Sequence, residues 1–149
     1  MAVIKHFTVT VLVVYKNKVL LHRHKKLGIW IPVGGHIEEN ELPEETVVRE
    51  AREEAGLEIK LYNPDQDNLG CYNKGELLIK PVHIELHKIK EDHFHINLVY
   101  YGRTGSDEIK PSEQAKEDFK WFSRQKLSDK KIAESVKFVC EEALEILGD

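Results

Sequence analysis

GHIEENELPEETVVREAREEAGL, residues 35–57, is the stretch on which the reading of this chain turns. Glu41, Arg49, Glu50, Glu53, Glu54 and Gly56 stand in it at fixed offsets from Gly35. Pro43 suits the first position of a helix, Glu44 and Glu45 complement the positive end of its dipole, and Val47, Val48, Ala51 and Ala55 fall on one side. Gly56 followed by Leu57 reads as the C-terminal cap. Leu42 stands where a Ser, Thr or Asp cap would serve, so the start of the helix is less well specified than its end. Glu50, Glu53 and Glu54, at i, i+3 and i+4, place their carboxylates on one face. Like charges so arranged cost a helix about 0.2–0.5 kcal/mol per pair, and such a row persists either because water screens it or because a cation sits there. A hard divalent ion suits the second case, since Mg²⁺ takes carboxylates, waters and substrate phosphates as oxygen ligands.

The same residues decide between the two cases. Gly35, Glu41, Arg49, Glu50, Glu53, Glu54, Gly56 and Leu57 match G-x5-E-x7-R-E-U-x-E-E-x-G-U, with U a bulky aliphatic residue, which resembles the Nudix (MutT-like) box. Seven specified residues recur by chance on the order of once per million chains of this length, or less. The box covers about a sixth of the chain. Two departures, the small Ala51 and the Val33 that precedes Gly34-Gly35 where many members have Pro, bear on loop geometry rather than on charged positions. The resemblance implies an α/β fold, the Nudix-type α/β/α sandwich with a mixed β-sheet. It implies Mg²⁺- or Mn²⁺-dependent hydrolysis of a phosphoanhydride bond in a small nucleoside diphosphate linked to another moiety. Carried over by position, Glu53, Glu54 and the Gly34 carbonyl are metal ligands, and Glu50 is a ligand or the base that takes a proton from the attacking water. Arg49 holds the glutamates, Glu41 anchors the loop to the helix, and Gly35 and Gly56 serve the backbone. Water polarised by the metal is the implied nucleophile. Some members draw the base from a loop outside the box, for which Glu113 and Glu117 are the candidates here.

Outward from the box, HFTVTVLVVY (6–15) is rich in β-branched residues and, with Lys18 to His24 across the turn Lys16-Asn17, reads as a hairpin. Lys25 to Gly35 lacks a regular period and carries Gly28, Pro32, Gly34 and Gly35, so it reads as a loop that needs unusual backbone angles. Trp30 is expected to pack under it. Residues 62–75 read as loop, Glu76 to His87 and His93 to Arg103 as strands joined through the charged stretch Lys88 to Asp92, and 119–122 as a short strand. Ser128 to Leu147 reads as a long amphipathic helix capped by Ser128, its core stripe running through Ile132, Val136, Val139, Cys140, Ala143, Leu144 and Leu147.

The whole, 149 residues with 41% hydrophobic and 32% charged content, reads as one domain spanning 1–149 with a packed core. The net charge of −4 disfavours a dedicated nucleic-acid binder. Val9 to Tyr15, the most apolar run, is far short of the roughly 20 residues a membrane span needs. With no signal-peptide pattern at the N-terminus, the expectation is a cytoplasmic protein with no membrane partner. A homodimer is compatible with the sequence but not read from it. Cys71 and Cys140 match no metal spacing and are too few for a disulfide framework.

The eight histidines raise a further question. In strands, His93, His95 and Asn97 share one face opposite Phe94, Ile96, Leu98 and Tyr100, and His83, Glu85 and His87 oppose Val82, Ile84 and Leu86. Pairing of the two strands gathers His83, His87, His93 and His95 into a polar cluster opposite the core face. That cluster is a solvated sheet face, a substrate pocket or a transition-metal site. His36 lies in the box loop and so near phosphates. Arg23, with His22, His24, Lys25 and Lys26, is the nearest basic group and, like His36, His95 and Glu113, is a candidate for substrate binding. Two other classes stay open. A non-catalytic Nudix ligand sensor would ordinarily have lost box glutamates, and isoprenyl-diphosphate isomerase chemistry would need a reactive thiol or acid, for which Cys71 is the thiol outside the terminal helix.

Overall fold

The computed structural model describes residues 2–65, 71–72, 75–112 and 118–149. Its centre is β1 (Ile4–Tyr15), whose apolar β-branched run is buried on both faces from Val11 to Val14. A tight turn at Lys16, with φ 53, leads into β2 (Lys18–Arg23). Short strands β3 (Trp30–Ile31) and β4 (Val33–His36) precede helix α1 (Pro43–Glu50), which runs on as one wide π-helical turn over Ala51–Ala55. Then come β5 (Ile59–Leu61), a small hairpin of β6 (Cys71–Tyr72) and β7 (Gly75–Glu76), and β8 (His83–Lys90) and β9 (His93–Thr104). β10 (Asp118–Ser123), a 3-10 turn over Arg124–Ser128 and helix α2 (Glu134–Leu147) complete the order.

The main sheet is mixed and runs β10-β2-β1-β9-β5, with β3 on β2, β4 on β1 and β8 on β9. β1 and β9 pair in parallel from Ile4↔His93 to Val14↔Arg103, and the other pairs are antiparallel. Strand alternation divides the interior in two. Val9, Val11, Val13 and Tyr100 pack with Val47, Ala55 and Leu57 on the α1 side, while Leu12, Val14, Val99 and Tyr101 pack with Cys140, Ala143, Leu144 and Leu147 of α2. That is an α/β/α sandwich, the fold class expected. α2 is pinned by polar groups as well, because Glu142 Oε1 accepts the Tyr101 hydroxyl at 2.7 Å and lies 2.7 Å from His83 Nε2.

Several expectations are corrected. The stretch 25–35 is not all loop: β3 pairs with β2, β4 pairs with β1, and of its glycines only Gly28 has a positive φ. Gly34 and Gly35 are needed for close approach, since a Cβ on Gly34 would lie 2.2 Å from the Val9 carbonyl oxygen. Val33, the departure from the family pattern, is fully buried and pairs with Val11. The long terminal helix begins at Glu134 rather than at Ser128. Asp129 Oδ1 accepts the Lys131 N–H at 2.8 Å, a local turn that competes with helix, although Ile132 is still buried as expected. The eighth strand starts at His83, after Pro81, and continues through Lys88 to Lys90 with a bulge, so the charged stretch is mostly strand.

The expected apolar face of β9 is buried at Tyr100, but β8 departs from its expected facing and Asn97 on the polar face of β9 is buried as well. Ile84 and Leu86 are 67% and 59% exposed, whereas Asn97 is 2% exposed. Asn97 is buried at no penalty because it is saturated: its amide donates to Thr10 and to Glu85, and its carbonyl accepts from Thr8.

Tyr101→Phe should lower stability by about 1–2 kcal/mol, since Glu142 loses one of its two partners inside a packed interface. Urea unfolding monitored by circular dichroism checks this, and an unchanged midpoint would mean that α2 is held by its apolar stripe alone.

Candidate functional site

The loop from β4 to α1 and the end of the helix are tied together through one side chain. Arg49 donates to both oxygens of Glu41, from Nε to Oε2 at 2.7 Å and from Nη2 to Oε1 at 3.0 Å. Its Nη1 bridges Glu50 at 2.9 Å and Glu53 at 3.2 Å, and Nη2 also reaches the His36 carbonyl at 3.3 Å. A planar fork with five donors can satisfy this many acceptors at once, as a lysine could not. Glu41 further accepts the Thr46 hydroxyl at 2.6 Å, which is why Thr46 rather than Val48 is a fully buried residue of α1. The Arg49 guanidinium beside Glu41 holds that carboxyl down at about 2. The helix start, lacking a side-chain cap at Leu42, is secured from the other direction by Glu45, whose carboxylate accepts the Leu42 N–H at 2.8 Å.

The helix does not stay regular through its glutamates. From Ala51 the turn widens, and Gly56, at φ 68, closes it with Leu57 N–H donating to the Ala51 carbonyl at 3.2 Å. Widened turns inside helices are frequent at functional sites. Past this point the three carboxylates have different surroundings. Glu50 is tucked against β4, where a Cβ on Gly35 would lie 2.3 Å from Glu50 Oε1. Glu54 is turned toward β2, with Oε2 3.7 Å from His22 Nε2, while Glu53 is over half exposed. The donors they offer are anionic oxygens, the set a hard divalent ion takes, and the glycine cradle lets the Glu50 carboxylate reach the β4 backbone. The residues therefore fit such an ion chemically, and Arg49 holds Glu50 and Glu53 to one guanidinium nitrogen.

Beside them a cleft of about 470 Å³ opens where the sheet forks. β2 leaves β1 after Val14↔Val19, and β4 takes over its edge from Val11↔Val33 to Thr8↔His36. Pro32, between β3 and β4, marks the crossing from one partner to the other, and its carbonyl lies 3.2 Å from His22 Nε2. The cleft is lined by Thr8, Thr10, His22, Gly34, Gly35, His36, Glu54, His87, His95 and Asn97 among others. Of the expected substrate contacts, His36 and His95 line it and Arg23 does not: its side chain is exposed, and the neighbouring His22 takes the inward position. Glu113 and Glu117 lie outside the described residues.

The histidine cluster forms with altered membership. His83 is drawn off to Glu142, His87 sits 3.0 Å from Glu85, and His6 and His36 join His93 and His95. Burial first, and then the imidazoles of His36, His93, His6 and His87, push His95 below the ordinary histidine range. His6, Thr8 and Thr10 join the cleft and the cluster without having been among the expected site residues. Their signal was present as a polar residue at every second position of an otherwise apolar strand. Trp30 packs edge-on to Phe122 at 5.2 Å, the structural role expected of it. Cys140 is buried and pushed up to about 12 by that burial, so it offers no reactive thiolate. The Cys71 side chain is outside the described residues.

Glu41 yields a pH test. Its folded carboxyl lies near 2 against 4.5 for the free group, so its contribution is present above about pH 4.5 and is lost as pH falls toward 2. Glu41→Gln should melt below the parent chain at pH 7, and the gap should close between pH 4.5 and 2. A gap constant over that range in thermal melts would show that the residue acts by packing rather than by charge.

Comparison with known proteins places this geometry in a family. The family model described as NUDIX domain matches residues 4–141. Among solved structures, a NUDIX-family hydrolase from Clostridium perfringens is 43% identical, superposes with a TM-score of 0.85 and covers 95% of this chain and 97% of its own. A MutT NUDIX hydrolase from Burkholderia pseudomallei shares the fold at 20% identity and TM-score 0.66, over 97% of this chain and 98% of its own. A NUDIX hydrolase from Nitrosomonas europaea does so at 15% and 0.63, over 99% and 73%. With the box glutamates, their arginine and the supporting sandwich all in hand, the chain belongs to the NUDIX family of hydrolases.

Proposed function

We propose that this hydrolase cuts a phosphoanhydride bond in a small nucleoside diphosphate linked to another moiety, with Mg²⁺ or Mn²⁺ held by Glu50, Glu53, Glu54 and the Gly34 carbonyl. The observation that carries the reading is the meeting of Glu54 with Gly34 and Gly35 at one cleft, beside the helix end that presents the other two carboxylates. A bound divalent ion of this class neutralises charge on phosphoryl oxygens and makes water a better nucleophile at neutral pH.

The chain's own residues supply the rest. Arg49 keeps Glu50 and Glu53 aimed, and the Glu41 pair fixes Arg49, so the acidic groups need little reorganisation when the reaction begins. Glu50 completes the ligand set or takes the proton of the attacking water, with Glu113 and Glu117 as the alternative bases. Opposite, Thr8, Thr10 and Asn97 form a neutral polar wall with His36 and His95, suited to the sugar or base of a nucleotide. A cleft of about 470 Å³ is in the usual range for a small ligand. The sparse positive charge around it argues for a mononucleotide or nucleotide-sugar over an RNA, whose phosphates would each need a basic partner. No helix among the described residues is long and apolar enough to cross a membrane, which says nothing of a β-barrel. A cytoplasmic location goes with the reading.

Glu53→Gln and Glu54→Gln should each lower kcat by about 100-fold or more with the melting temperature little changed, because a ligand charge is lost and no core cavity is opened. Unchanged turnover in steady-state assays over a panel of nucleoside diphosphate derivatives would remove these residues from the metal site. EDTA should abolish turnover, and Mg²⁺ or Mn²⁺ should restore it while raising the melting temperature, since a ligand of the folded state stabilises by mass action. Turnover that survives chelation would overturn the metal requirement.

A further inference from the structure

The glutamates are not the densest set of metal-ligating groups in the molecule. His36 of β4, His6 of β1 and His95 of β9 come from three strands that are neighbours in the sheet. His6 and His95 are a directly opposed pair, and His36 is paired with Thr8, two residues along the same face of β1. One ring nitrogen from each lies within 4.8 Å of the others, the one such set of three among the described residues. The ring centroids are 4.9–6.3 Å apart. His95 Nε2 is buried and finds no hydrogen-bond partner among the described residues, which in a native interior calls for an explanation.

We propose that His6, His36 and His95 form a binding site for a borderline divalent cation, with zinc as the type, separate from the carboxylates of the helix. Imidazole nitrogen suits zinc and its neighbours in the first transition row, whereas magnesium and calcium take oxygen. An equilateral triangle of 4.8 Å edge has its centre about 2.8 Å from each corner, against the roughly 2.0–2.1 Å of a zinc–nitrogen bond. Each ring therefore has to swing inward by less than about 1 Å, which side-chain torsions on exposed His6 and His36 supply.

The fourth imidazole has a distinct place. His93 Nε2 lies 3.1 Å from His6 Nδ1, so an ion on His6 Nε2 would have the Nδ1–H donate to His93, which takes the outer place that a carboxylate, carbonyl or water usually fills. Three nitrogen ligands leave a tetrahedral ion one open position. His36 and His95 both line the cleft that holds Glu54, so an ion bound there would add positive charge to one wall of that cleft.

The test uses the full, untagged chain stripped of metal with a chelator and titrated with Co²⁺, read by visible d–d absorption, then with Zn²⁺. One equivalent of Co²⁺ should give an intense nitrogen-ligand spectrum that Zn²⁺ displaces, and the Glu53→Gln/Glu54→Gln variant should keep it. His6→Gln and His36→Gln, both at exposed positions, should weaken binding by more than about 100-fold with unchanged melting temperature, and His93→Gln by about tenfold with the spectrum retained. The proposal is overturned if the spectrum persists in the histidine variants, if it is lost with the glutamates instead, or if neither ion binds the parent chain.

Discussion

The bidentate pair between Arg49 and Glu41 is the constraint on which the rest of the candidate site depends. Glu41 lies in the loop before α1 and Arg49 near its end, so the pair closes the loop onto the helix, and the remaining guanidinium donors reach Glu50, Glu53 and the His36 carbonyl. Removing Arg49 would leave the Glu41 carboxylate without its cation, whereas removing Glu41 would leave Arg49 with Glu50 and Glu53 but no longer tied to the loop. The cluster carries more carboxylates than cations, and that surplus of negative oxygen is what a divalent ion would complete.

The second constraint is the fork in the sheet. β1 serves β2 along one part of its edge and β4 along another, so a cleft opens between strands that would otherwise be continuous neighbours. Glycine at positions 34 and 35 is what permits the closeness of the β4 side: Val9 backbone stands on one face of the strand and Glu50 on the other. The cleft thereby draws one wall from the helix side of the sheet, with Glu54 and His22, and the other from the polar positions of β1 and β9.

That polar wall is ordered by saturation rather than by charge. Thr8, Thr10, Asn97 and Glu85 satisfy one another across three strands, and the imidazoles continue the row beyond them. α2 covers the same face of the sheet further along, where Tyr101 and Val99 replace the polar residues. One sheet face thus passes from core to cleft along a single strand, because an alternating pattern sets the face and only the neighbouring layer decides whether that face is dry.

The local rules legible in the chain settled the box helix, its end at Gly56 and the central apolar strand, and they named the acidic candidates, since each rests on residues close together in sequence. What they could not settle were features set by partners distant in sequence. The widened turn under Glu53 and Glu54, the strand character of Gly34-Gly35 and the exchange of Arg23 for His22 all depend on how β4, β2 and the helix end meet. The burial of Asn97 on β9 and the exposure of Ile84 and Leu86 on β8 came about for the same reason: Thr8, Thr10 and Glu85 wait for Asn97, while no layer among the described residues covers Ile84 and Leu86. Hydrophobic periodicity reports which side chains share a face, and only the tertiary arrangement determines what covers that face, because burial is a property of the second surface as much as of the first.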